Sequence, residues 1–256
     1  LIGHSINAVF CFEWKRALTL PRLTWWTVLA LFPGFIVGLI RFTMESPLES
    51  QRWTGFLFAL IPMLLTMMGT FLGATPAVSA EVEGKSWTYL AVRPHGTTVV
   101  LLGKYLATVT WVFSAAFVGF ALAMVIMPYE QPWEFAGCIV RLTLLSCPAY
   151  AALYLLLGTL FPKRSMVIAV AYTLIFELLI SLVPALINTF TIQFRLRTLL
   201  VEWAHIQVNS ELLAFVGDPP AWEHVIILLA YTTILLLAAV GTVRLKEFSL
   251  TEDGNA

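Results

Sequence analysis

Glu177 is the residue whose type and position most invite chemistry. It lies about 12 residues into an apolar stretch over 165–187, near mid-membrane at ~1.5 Å per helical residue. An ionisable group at that depth costs at least ~2.5 kcal/mol on insertion scales, so it faces protein or water. Thr173 and Ser181 stand four residues before and after it, forming one polar stripe on a helix. Two roles fit the stripe: a translocation path or subunit seam, or a protonated acid hydrogen-bonded to a neighbouring helix for packing. Arg141 lies in another apolar stretch and either snorkels outward or pairs with Glu177.

The remaining combinations point away from catalysis. His4, His95, His205 and His224 are dispersed, and the Glu202/His205 pair is isolated, so no metal site is expected. Ser, His and acidic residues do not gather as a hydrolase triad requires. There is no H-E-x-x-H helix and no G-x-x-x-x-G-K-[ST] phosphate loop. Cys11, Cys138 and Cys147 have neither metal-ligand spacing nor a disulfide framework. Zero net charge gives no electrostatic case for nucleic acid. No cofactor is expected on this chain.

The elements that must position these residues are membrane helices. The chain is 59% hydrophobic and 12% charged, against roughly 25% charged in soluble domains, and its mean hydropathy is +0.86. Apolar runs of about 20 residues span the hydrocarbon core as helices, because lipid offers the backbone no hydrogen-bond partners. The strand-type alternation of a membrane barrel is absent from the sequence. The expectation is an all-α polytopic protein forming one transmembrane domain over 1–256. Its six spans fall at about 23–41, 54–79, 104–127, 135–161, 165–187 and 222–243. Gly69 and Gly73 give the second span a small-xxx-small packing face.

Lys and Arg orient the spans. The arm at 1–22, the segment 80–104, the 162–165 turn and the tail at 244–256 hold ten of the 15 basic residues, which predicts both termini cytoplasmic. In the arm, Ile6, Phe10, Trp14 and Leu18 recur every four residues while Glu13 and Arg16 fall off that stripe, so an interfacial helix is expected. No short apolar core precedes Glu13, Lys15 and Arg16, so no cleavable signal peptide is expected. Trp25 and Trp26 mark the start of the first span. Residues 188–221 carry a helical apolar pattern through Ile192, Leu196, Leu199, Leu200, Trp203 and Ile206. It predicts short helices at, or dipping into, the outer leaflet.

Segment 80–104 is a charged island between two greasy spans: Glu81, Glu83, Lys85, Arg93 and Lys104 around a break at Pro94. With Leu90, Val99 through Leu102, Gly103 and Tyr105 it resembles the cytoplasmic segment joining the second and third spans of type-2 ABC transporter permease subunits, mostly bacterial exporters. Phe176, Glu177, Pro184 and the 188–221 loop extend the resemblance, which covers almost the whole chain. The run His95, Gly96, Thr97, Thr98 departs from the Ser and basic residues common there, and Trp87 replaces a smaller Thr.

The resemblance implies a plasma-membrane (bacterial inner-membrane) permease that pairs with a second permease subunit, like or unlike. A separate cytoplasmic ATPase would bind the ATP and Mg. It also implies a coupling helix within 80–104, with Glu81, Glu83, Arg93, Pro94 and His95 as candidate ATPase contacts. The bland reading of those residues is a solvated loop obeying the charge rule. The expected task is export or flipping of an amphiphile, with no catalysis by this chain. The alternatives are an intramembrane lipid-acting enzyme, or a non-transporting anchor for an ATPase that moves an external protein.

Overall fold

A computed structural model describes residues 2–43, 50–84, 87, 89, 95–126, 132–179, 189, 191–206 and 220–245. Helices make up the regular structure throughout, with no strand among the described residues. Helix α1 (Ile2–Ala17) precedes α2 (Leu20–Thr43). Helix α3 runs through consecutive pieces: Ser50–Phe58, a π-helical stretch Ala59–Leu65, Thr66–Ala74 and Pro76–Glu83. Then come α4 (Gly96–Ile126), α5 (Pro132–Leu160), α6 (Ser165–Tyr172, continuing as a π-helical stretch Thr173–Leu179), α7 (Ile192–Trp203) and α8 (Ala221–Leu245).

Five of these helices are long and apolar enough to cross a membrane: Leu20–Thr43, Arg52–Glu83, Gly96–Ile126, Phe135–Leu160 and Ala221–Leu245. They match five of the expected spans. The remaining expected span, 165–187, is described only as far as Leu179. Two bounds differ from expectation. The second span stays helical to Glu83, and the third begins at Gly96, two turns before Lys104. Much of the charged island is therefore helix end rather than connection. Polar residues were read as the limit of a span, but once outside lipid a helix continues as long as its backbone bonds are satisfied.

Close contacts set the packing. Gly69 and Gly73 do form the packing face of α3: a Cβ there would sit 2.9 Å from Val112 and 2.7 Å from Thr108 of α4. Gly119 lets α4 approach Pro33 and the Ala30 carbonyl of α2, and Gly158 of α5 lies against the Thr75 carbonyl of α3. The centre is filled by Leu57, Ile61, Leu65, Ile139, Leu142, Tyr150 and Tyr154, all almost fully enclosed. The outward faces are apolar instead of polar, as lipid requires: Val28, Leu31, Phe35 and Leu39 on α2, and Ile226, Leu229, Ile234 and Leu237 on α8.

The helix interruptions have local causes. Pro62 lies in the first π-helical stretch, where its missing N–H breaks the usual ladder, and its own carbonyl accepts the Thr66 hydroxyl at 2.5 Å. Near the opposite end of the bundle from α1, the Arg41 guanidinium donates to the Ile126 carbonyl, satisfying an orphan group at the C-terminus of α4.

These contacts generate a paired test. Gly158→Ala forces a methyl onto a backbone carbonyl and is expected to lower stability by about 1–3 kcal/mol in detergent melts. Gly241→Ala meets no atom within 4 Å, so it is expected to be neutral or slightly stabilising.

Candidate functional site

Two polar clusters stand out in the apolar bundle. The first ties together the helix ends around the island. Glu13 of α1 is 7% exposed and Lys104 of α4 is 9% exposed. Lys104 Nζ donates to Glu81 Oε1 at 2.5 Å and to the Ala77 carbonyl at 2.9 Å, and it lies 3.9 Å from Glu13 Oε1. Glu13 is also approached by Arg22 at 3.4 Å and Arg16 at 3.7 Å. One joint thus fastens α1, the start of α2, the end of α3 and α4.

The joint revises the reading of the arm. Leu18, placed on the apolar stripe, is 58% exposed, whereas Glu13 and Ala17 are buried. Val9 packs so closely on α4 that a Cβ at Gly103 would fall 2.5 Å from it. The cations around Glu13 come from three other positions in the chain, so the periodicity of α1 alone could not reveal that this acid turns inward.

Helix lengths make the joint a boundary. Helices α2 and α4 run side by side in one direction: Trp26 donates to Ser114 at 3.0 Å, and Arg41 reaches Ile126. Helix α4 has 31 residues, about 46 Å at ~1.5 Å per residue, against a hydrocarbon core of about 30 Å. Its first two turns precede Lys104. There Gly96–Gly103 runs on beyond the start of α2, beside the end of α8, where Arg244 donates to Thr98 at 3.1 Å.

The sequence-predicted coupling residues divide accordingly. Glu81 is half-buried in the joint, Glu83 is exposed at the end of α3, and His95 is exposed just before α4. Arg93 and Pro94 lie outside the described residues. His95 adopts φ 60°, a left-handed conformation that disfavours residues with a Cβ. Trp87 is buried while Tyr89 is exposed.

The second cluster surrounds Glu177, which is 0% exposed and sits in the π-helical stretch of α6. Its carboxylate accepts the Tyr150 hydroxyl at 3.1 Å and the backbone N–H groups of Ile192 and Gln193 at 3.4 and 3.3 Å. Thr191 accepts the Phe194 N–H at 3.2 Å. The first amides of α7, which a helix leaves unbonded, therefore meet side-chain acceptors. The positive end of the helix dipole also faces the carboxylate. Thr173 donates to the Ala169 carbonyl, so the 2.7 Å contact with Tyr154 is one in which the tyrosine donates.

Tyr150 lies about three turns inside α5, so the N-terminus of α7 sits deep in the bundle. Arg141 is exposed on α5 and is not among the hydrogen-bond partners of Glu177. Ser181 lies outside the described residues. Tyr150, Tyr154 and Gln193 joined no sequence-level pattern, because ordinary apolar and helical stretches carry them. Further out, Arg195 Nη1 contacts His224 Nδ1 at 3.0 Å, fixing α7 on α8, and burial holds the Arg195 guanidinium below its ordinary value. Among the described residues no group of three or more His, Cys, Asp or Glu side chains is placed to hold a metal ion.

No known protein-family model matches the chain, and no characterised protein matches it significantly.

Both clusters can be tested by stability in detergent. Lys104→Met leaves two buried carboxylates short of a cation and is expected to cost about 3–5 kcal/mol. Glu177→Ala strands buried donors and is expected to cost about 2–5 kcal/mol, with Glu177→Gln less harmful because one acceptor oxygen remains. An unchanged unfolding temperature for Glu177→Ala would remove the capping role.

Proposed function

We propose that this chain is the permease subunit of an ATP-driven, type-2 ABC-like transporter that exports or flips an amphiphile. A separate cytoplasmic subunit binds and hydrolyses the ATP. The observation that carries this reading is the pair of helix ends, Pro76–Glu83 and the start of Gly96–Ile126, fastened to each other by Lys104. Helices locked together by buried ion pairs resist bending, so a push on the ends reaches α3 and α4 rather than dissipating in a loop. Glu83 and His95 are exposed at the tips, where a soluble partner has access.

On this reading the ends of α3, α4 and α8 face the cytoplasm, and the 165–187 segment completes six spans. The apolar outer faces of α2 and α6, including Phe35, Val167, Leu174 and Ile175, offer surface for a second permease. Intramembrane catalysis fits the geometry less well. Glu177, the acid enclosed in the bundle, is already occupied in capping α7.

Affinity purification from gently solubilised membranes tests the proposal. An ATPase subunit is expected in stoichiometric amount, and Glu83→Lys is expected to reduce its recovery several-fold while leaving the unfolding temperature unchanged. Recovery of this chain alone, with no substrate-stimulated ATP hydrolysis under conditions that preserve complexes, would overturn it.

A further inference from the structure

The bundle carries a lateral crevice of about 260 Å³ between α1, α2, α3 and α4. Its mouth is the ionic joint and its floor is apolar. Arg16 and Arg22, both nearly half-exposed, stand at the mouth with the buried Glu13 and Lys104 behind them, and Leu72 and Trp111 are among the apolar lining residues. Gly69 and Gly73 line the crevice where α3 closes on Val112 and Thr108 of α4. Leu72 and Trp25 leave it open sideways, at 39% and 61% exposure.

The mouth is unbalanced in charge. Arg16 and Arg22 share one buried carboxylate, that of Glu13, which also faces Lys104. Lys104 has Glu81 as its close partner, but neither arginine is paired with another carboxylate among the described residues. Both arginines remain nearly half-exposed, at 46% and 45% of the side chain, with donors free to turn toward the mouth. The planar guanidinium of arginine favours oxyanions such as phosphate and holds them with paired N–H groups. The cations stand at the level where helix α2 begins, next to Trp25 and Trp26, and an apolar slot leads away from them along α3 and α4.

The geometry points to a binding site for an anionic phospholipid, its headgroup phosphate between Arg16 and Arg22 and an acyl chain along Leu72, Gly73 and Trp111. A basic pocket between helix ends is the arrangement that recognises acidic headgroups. The adjoining apolar floor distinguishes a lipid from a free anion, since a methylene group gains free energy only where it leaves water or fills a gap. The site is built within one chain and requires neither a motor subunit nor a second permease.

The test uses the full-length purified chain without any ATPase, so failure of the transporter proposal leaves it intact. Native mass spectrometry in detergent would follow titration with phosphatidylglycerol or phosphatidylcholine of identical acyl chains. The expected result is one tightly held phosphatidylglycerol per chain, preferred about tenfold over phosphatidylcholine. Arg16→Gln with Arg22→Gln is expected to abolish the preference, and Arg16→Lys with Arg22→Lys to restore part of it. Leu72→Trp, which fills the slot, is expected to weaken both lipids. A lipid bearing a photoreactive acyl chain should label the Leu72–Gly73 segment.

Equal retention of the two lipids would overturn the site. So would a preference untouched by the glutamine substitutions in a protein of unchanged unfolding temperature. Complete displacement by millimolar inorganic phosphate with no acyl labelling would reduce it to an anion site and refute the lipid assignment. Labelling that maps instead to a second copy of the chain would assign the crevice to a subunit contact.

Discussion

A backbone in hydrocarbon has no water to bond, and every departure from a continuous helix must supply its own partners. That constraint explains the features that look irregular here. Pro62 interrupts the α3 ladder within a π-helical stretch, and the Thr66 hydroxyl gives the Pro62 carbonyl a partner. The C-terminus of α4 would present bare carbonyls, and Arg41 covers one of them. Helix α7 begins deep in the bundle, where its first amides would be stranded, and Glu177 and Thr191 accept them. The buried acid Glu177 thus acquires a reason to exist that requires no substrate.

The ionic joint solves a related problem among the helix ends. Glu13 and Lys104 would each be costly to bury alone. Together with Glu81, Arg22 and Arg16 they form a network whose loss of any buried member leaves another uncompensated. A buried network of this kind is weak as a source of net stability but strict in geometry. It settles where α1 lies against α4 and fixes how far the ends of α3 and α4 run past α2. The proposed mechanical role of those ends and the proposed lipid site at the arginines draw on one piece of electrostatics. Lys104 and Glu81 hold the helices, while Arg16 and Arg22 keep exposed positive charge at the crevice.

Different parts of the fold were legible to different degrees. Five spans could be read directly, because apolar length in lipid leaves the chain no alternative to helix. The small-xxx-small face of Gly69 and Gly73 was also legible, because close approach requires a missing side chain and two glycines a turn apart announce it. The helix ends were not. Polar residues such as Glu81 and Lys104 look like connections when only hydropathy is considered, yet each finds an ionic partner and stays helical.

The sequence by itself determined the solvent of this protein, its helical class, most of its spans and the oddity of an acid at position 177. Those properties follow from local composition, since burial in lipid depends on each segment's own apolar length. Only the tertiary structure decided what the polar residues do. Glu13 turned inward to Lys104, Glu177 became the cap of a helix 15 residues further on, and Tyr150 and Tyr154 joined it from α5. A charge or hydroxyl in a membrane takes its role from the partner that satisfies it, and those partners are distant in the chain and adjacent only once the helices pack.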